Sequence, residues 1–123
     1  MEGMTEYIDT DNFAGVRKCA HIIAQGGLIA FPTETIYGLG ADALNSEAVR
    51  KIFAVKGRPA DNPLIIHITD SSQLDQVAFS TQTAKKLIDA FWPGPLTVVL
   101  KRKSTVPDIT SAGLDTVAVR MPD

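Results

Sequence analysis

Lys56-Gly57-Arg58 sets two cations on either side of a glycine. Gly57 permits a sharp turn, so the two side chains can converge on one anion, the ammonium as a point charge and the guanidinium as a bidentate fork. Asn62 adds an amide that both donates and accepts. The plainer alternative is a solvated helix end, where cations gain about 0.3–1 kcal/mol from the helix dipole. A second polar cluster, Thr33-Glu34-Thr35, follows the apolar run Leu28–Phe31 and Pro32. Its hydroxyls can accept from a ligand ammonium or donate to a carboxylate, and Glu34 can pair a cation; capping a turn is the competing use. His67 stands inside Leu64–Ile68, where a satisfied core imidazole competes with a functional one. Arg120, on the polar side of the last apolar run, suits either an internal Asp or Glu partner or a clamp on a ligand carboxylate.

These residues need elements to hold them. Leu28–Phe31 reads as a buried strand, Ser46–Lys56 as a helix capped by Asn45 or Ser46 and closed by Gly57 and Pro59, and Leu64–Ile68 as an interior strand. Strand, polar cluster, helix, cationic turn and strand make a βαβ-like unit, with the polar groups beyond the strand ends where open α/β sheets bind ligands. Upstream, Thr10 or Asp11 caps a helix running to about Gln25, with Phe13, Val16, Ala20 and Ile23 at helical spacing. A short strand at Tyr7-Ile8 is possible before it. Downstream, Asp70–Val77 reads as a short capped helix with Leu74 and Val77 inward. Ser80 or Thr81 caps another, with an apolar stripe of Ala84, Leu87, Ile88 and Phe91. Trp92-Pro93-Gly94-Pro95 forces a turn. Leu96–Leu100 is a strand, Val106–Gly113 a loop, and Asp115–Met121 an interior strand with Val117 and Val119 on one face. The fold class is α/β (α+β) with a mixed sheet.

The chain has 123 residues, suited to one compact domain, with 45% hydrophobic and 21% charged residues. The net charge of −2 excludes a global positive field that recruits nucleic acid, so any anion must be held by locally placed cations. Cys19 is the only cysteine, which excludes an internal disulfide and a multi-cysteine zinc site. No run approaches the roughly 20 apolar residues of a membrane span. The acidic start, MEGMTEYIDTD, lacks the apolar core of a signal peptide, and a cytoplasmic protein is expected. Gly38–Ala43 matches G-x-G-x-x-A, but the next helix begins too late for a dinucleotide loop. No Walker-type phosphate loop occurs.

Together, FPTETIYGLG, KGRPADNPL ending near a histidine, WPGPLT and LDTVAVRMP resemble, in order, the YrdC family of L-threonylcarbamoyl-AMP synthases. The resemblance runs from about Gly26 to Pro122. It implies a twisted, mixed, open sheet with flanking helices, and a nucleotidyl transfer that joins L-threonine, bicarbonate and ATP into threonylcarbamoyl-AMP with release of pyrophosphate, for tRNA N6-threonylcarbamoyladenosine. Residue by residue, it implies that Lys56 and Arg58 handle the ATP phosphates, that Asn62 and Thr116 contact the nucleotide, and that Thr35, His67 and Arg120 surround L-threonine, with Thr33 and Tyr37 as pocket walls. Mg²⁺ is expected with the phosphates, and tRNA threonylcarbamoyl-transfer proteins as partners. The family's later part, with its Ser-x-Asn motif, has no counterpart here. A truncated domain over residues 1–123 with weak activity is therefore expected. The competing class is a double-stranded RNA or tRNA module, with Arg50, Lys51, Lys56, Arg58 and Lys101-Arg102-Lys103 lining its surface. A carbamoyl-transfer module like that of hydrogenase-maturation proteins requires zinc-finger cysteines that are missing.

Overall fold

The computed structural model describes residues 6–8, 13–32, 37–57, 59 and 61–123, with Tyr37 described by its backbone alone. Helix α1 (Phe13–Ala24) leads into strand β1 (Ile29–Pro32), which pairs antiparallel with β2 (Tyr37–Gly40). Helix α2 (Ser46–Lys56), strand β3 (Ile65–His67), a 3₁₀ turn (Ser71–Gln73) and α3 (Leu74–Val77) follow. Then come β4 (Ala78–Phe79), α4 (Gln82–Phe91), β5 (Thr97–Arg102), α5 (Asp108–Ser111) and β6 (Thr116–Arg120). Strands β3 to β6 form one mixed sheet in the order β3-β6-β5-β4, parallel only between β3 and β6.

The βαβ-like unit is corrected at its first step. β1 pairs with β2 in a separate hairpin and not with β3. The cause lies in the two glycines after Tyr37. A Cβ at Gly38 would lie 2.8 Å from the Phe31 ring and one at Gly40 3.1 Å from it, so the glycines make room for that ring across the hairpin. Pro32 does not end β1, because an edge position needs no amide donor there. Nor is β1 buried: Ala30 and Pro32 face solvent. Among the described strands, β3 is an edge strand and not an interior one, since β6 lies between β3 and β5.

The helices obey their caps. The Asn45 side chain accepts from the amides of Glu47 and Ala48, and Gly57 closes α2 with φ 62. Asp70 and Gln73 form a reciprocal capping box at the 3₁₀ turn. Thr81 accepts from the Ala84 amide at the start of α4. Its stripe is narrower than expected: Ala84 and Ile88 are buried, whereas Leu87 and Phe91 are exposed. The α1 stripe is also displaced, with Phe13 76% exposed and the inward side formed by Cys19, Ile22 and Ile23. Its expected caps, Thr10 and Asp11, lie outside the described residues. Tyr7 and Ile8 belong to no strand. Residues 108–111, expected as loop, form α5, because Asp108 and its neighbours follow Pro107, which pre-sets an N-terminal turn.

One face of the four-stranded sheet is closed. Ile66, Val98, Leu100, Val117 and Val119 meet Leu74, Val77, Ala84, Ile88 and Trp92 in the core. Strand alternation sends the intervening residues to the other face: Ile65 and His67, Phe79, Thr97, Val99 and Lys101, Thr116, Ala118 and Arg120. Ile65, Phe79 and Val99 are 51%, 53% and 63% exposed, so among the described residues that face is open.

Candidate active site on the open sheet face

His67 and Arg120 are register partners on adjacent parallel strands, so both side chains stand on the open face about 4.8 Å apart at the backbone. Arg120 also pairs with Thr97 of β5. Its aim is set by the Trp-Pro-Gly-Pro turn. Gly94 donates its amide to the Met121 carbonyl at 2.9 Å, and its own carbonyl accepts from Arg120 Nε at 3.1 Å. Trp92, buried, donates its indole N–H to the Leu96 carbonyl and pins the turn. A side chain at Gly94 would meet the Phe91 carbonyl at 2.7 Å, which explains the glycine. With Nε occupied, the terminal nitrogens of Arg120 form a fork for a carboxylate. Among the described residues, no acidic side chain pairs with Arg120, and its hydrogen bond goes to a backbone carbonyl.

His67 is exposed and not a core histidine. Partial burial of its ring, then the neighbouring Arg120 charge, lower its pKa from the ordinary value of 6.5. The imidazole is therefore neutral at pH 7, with one nitrogen free to accept from a ligand ammonium. Thr116 lies on the same face as Arg120, four residues and about 13 Å away along β6. The face thus has two polar ends, His67-Thr97-Arg120 and Thr116-Lys101, separated by Ile65, Ala118 and Val99. No described strand carries an Asp or Glu, so the face favours anions.

Lys56 is exposed at the end of α2, and Asn62 is exposed beyond it, with an interaction of its own. Thr33, Glu34, Thr35 and Arg58 lie outside the described residues, as does the side chain of Tyr37. A cleft of about 480 Å³ wraps the free edge of β3, between the β1–β2 hairpin, α2 and the sheet. Phe31, Leu39, Val49, Ile52, His67 and Thr110 line it, so of the expected site residues whose side chains are described only His67 reaches it. Thr110, fully buried, ties the cleft wall by donating to the Ala43 carbonyl at 2.8 Å.

Four of the basic residues expected to line an RNA surface have partners within the fold, whereas Lys56 and Lys101 are exposed. Arg50 pairs with Glu47, and Lys51 donates to the Gly26 carbonyl. Arg102 donates to the Leu114 and Val106 carbonyls and to Asp108, and Lys103 to the Asp75 carbonyl. No described helix is long and apolar enough to cross a membrane.

The chain belongs to the Sua5–YciO–YrdC family: residues 21–123 match its model, which carries the description "Telomere recombination". Among its relatives, the threonylcarbamoyl-AMP synthase of Pyrococcus abyssi is 56% identical over 108 residues, covering 87% of this chain and 32% of the relative. That of Bacillus subtilis is 48% identical over 123 residues, covering 98% and 35%. The chain thus spans about a third of the length of these curated relatives. The crystal structure of P. abyssi Sua5 with L-threonine superposes with a TM-score of 0.84 at 55% identity, covering 89% of this chain and 32% of that one. The solution structure of the MTH1692 protein from Methanobacterium thermoautotrophicum covers all of this chain and 58% of its own, with a TM-score of 0.71 and 32% identity. The mixed open sheet with flanking helices is the fold of these neighbours.

Proposed function

We propose that residues 1–123 form one YrdC-like domain that supplies the substrate face of a threonylcarbamoyl-AMP synthase. The observation that carries this is the pairing of a carboxylate fork with a neutral imidazole on adjacent strands of an open face whose described strands carry no Asp or Glu. The α-carboxylate of L-threonine takes the Arg120 fork, and its amine lies toward His67. Two relatives at 56% and 48% identity carry the synthase name, and a neighbour was solved with L-threonine bound.

The reaction has two parts. The threonine amine and bicarbonate lose water to give a carbamate. A carbamate oxygen then attacks the α-phosphorus of ATP, and pyrophosphate leaves. Charge spreads over the transferring group's oxygens, so fixed cations are the main device required. Lys56 and Arg58 flank Gly57 and take the phosphates, while Asn62 and Thr116 contact the nucleotide. Thr33, Thr35 and Tyr37 wall the threonine pocket. The described residues hold no cluster of three or more His, Cys, Asp or Glu, so Mg²⁺ is best assigned to the substrate, held by phosphate oxygens as MgATP. The product passes to tRNA through threonylcarbamoyl-transfer proteins in the cytoplasm.

The test is pyrophosphate release from ATP, with L-threonine and bicarbonate added or withheld. It is run on the chain and on a version extended through the Ser-x-Asn segment of a longer relative. Release that needs both additions, and is lost in Arg120→Gln, is expected. A folded extended protein that releases no pyrophosphate in response to threonine would sink this reading.

A further inference from the structure

Three side chains share the row that carries Arg120. His67 on β3, Arg120 on β6 and Thr97 on β5 are register partners in turn. Arg102 donates its amide to the Asp115 carbonyl, which marks these two as a hydrogen-bonded pair of the β5–β6 ladder. Such pairs alternate with non-hydrogen-bonded ones, and Thr97 lies an odd number of steps from Arg102, so Thr97 and Arg120 form a non-hydrogen-bonded pair. Their Cα atoms then lie about 4.5 Å apart, the arrangement that brings facing side chains closest. Thr97 is half-buried, and among the described residues its hydroxyl makes no hydrogen bond. A strand position asks only for a β-branched shape, which Val supplies as well. Val99, next on the same face, is 63% exposed, so β5 does not need polarity there. The hydroxyl of Thr97 is left without a structural use.

We propose that Thr97 is the specificity-determining residue of the amino-acid site, its hydroxyl pairing with a hydroxyl on the β-carbon of the bound amino acid. The central strand holds the carboxylate on the Arg120 fork, which leaves the other groups on Cα to the flanking strands. The amine lies toward His67 on β3, so the side chain lies toward Thr97 on β5. The Thr97 hydroxyl both donates and accepts, as does the ligand's, so the pair forms with either as donor. The other two members of the row are spent. Arg120 is held at Nε by the Gly94 carbonyl and spends its fork on the carboxylate, and His67 meets the amine from the far side. The site therefore prefers an amino acid with a β-hydroxyl, and Thr97 is what makes it prefer one. This assignment rests on the amino-acid site of the synthase reading and adds how that site tells threonine from an analogue of the same shape without the hydroxyl.

The experiment titrates the ¹⁵N-labelled chain with L-threonine and with L-2-aminobutyrate, which differs only in lacking the hydroxyl, and reads affinities from backbone amide shifts. The wild type is expected to bind L-threonine about fivefold more tightly, as one neutral hydrogen bond allows. Thr97→Val keeps the shape and removes the hydroxyl; it should bind L-2-aminobutyrate as the wild type does, and L-threonine no more tightly than that. Thr97→Ser keeps the hydroxyl and should retain the preference. A Thr97→Val chain with the wild-type ratio of affinities overturns the proposal, as does a wild type without preference. Equal weakening of both ligands in Thr97→Val also overturns it, because Thr97 then acts on the Arg120 fork or on the fold and not on the ligand hydroxyl. So does the absence of any shift at Thr97 and Arg120 with either ligand at millimolar concentration. Selectivity that depends on Thr97 without threonine-dependent pyrophosphate release would refute the synthase reading and leave the role of Thr97 standing. Release with a ratio unchanged in Thr97→Val does the reverse.

Discussion

Replacing Arg102 by Met separates a structural cation from a nucleic-acid contact. The side chain is 21% exposed and joins β5 to the segment before β6 through three acceptors. Met keeps the apolar stem and removes every donor. The Val106 carbonyl, on a residue 1% exposed, then loses its partner at 2.7 Å, and an unsatisfied buried acceptor costs about 1–3 kcal/mol. The Leu114 carbonyl is exposed, and water replaces the lost bond at little cost. Asp108 is 81% exposed, so its ion pair contributes about 0–1 kcal/mol. The expected loss is about 2–3 kcal/mol, or roughly 10 °C in Tm for a domain of this size. Urea denaturation followed by circular dichroism measures it, with the slope m unchanged. Asp108→Asn should cost less than about 0.5 kcal/mol, which separates the carbonyl from the ion pair. If Arg102→Met shifts stability by under about 0.5 kcal/mol and instead weakens binding to duplex RNA, Arg102 belongs to an RNA surface and the reasoning fails.

Three further outcomes are expected. Asn45→Ala removes the cap of α2 and should cost about 1 kcal/mol in thermal or urea melts, with Asn45→Asp close to wild type. Thr110→Val keeps the volume but strips the donor from the Ala43 carbonyl, costing about 1–2 kcal/mol and moving the amide signals of residues 41–44 along the cleft. Burial and Arg120 disfavour the His67 imidazolium in the folded state, so the unfolded chain binds more protons between the lowered pKa and 6.5. Stability from this group is present above pH 6.5 and is lost as pH falls through the folded pKa. Arg120→Gln should raise the His67 midpoint in an NMR titration without restoring 6.5, because burial is the larger cause; an unchanged midpoint would remove Arg120 from the account.

Local rules carried the helices well. Asn45, Gly57, Asp70 and Thr81 cap where short polar residues and glycine are expected to, because capping depends on neighbours within four residues. Strand roles were less legible. Leu64–Ile68 looks interior by hydrophobicity, yet its place at the edge depends on β6, some fifty positions later. The hairpin escaped because Gly38 and Gly40 carry no side chains to alternate, and their purpose is visible only against Phe31. At the site, His67, Thr116 and Arg120 were named from motif and resemblance, and the fold sets them on one face.

The central position of β6 also fixes the order of assembly. Among the described strands, β3 has a single hydrogen-bonded neighbour, and it is the last strand of the sheet. β4 and β5 can pair early, as they are close in sequence, whereas β3 must wait until a loop of about fifty residues closes. His67 and Arg120 become neighbours in that same step. The His67–Arg120 end of the face therefore comes into being together with the completed sheet, and a partly folded chain lacks that pairing.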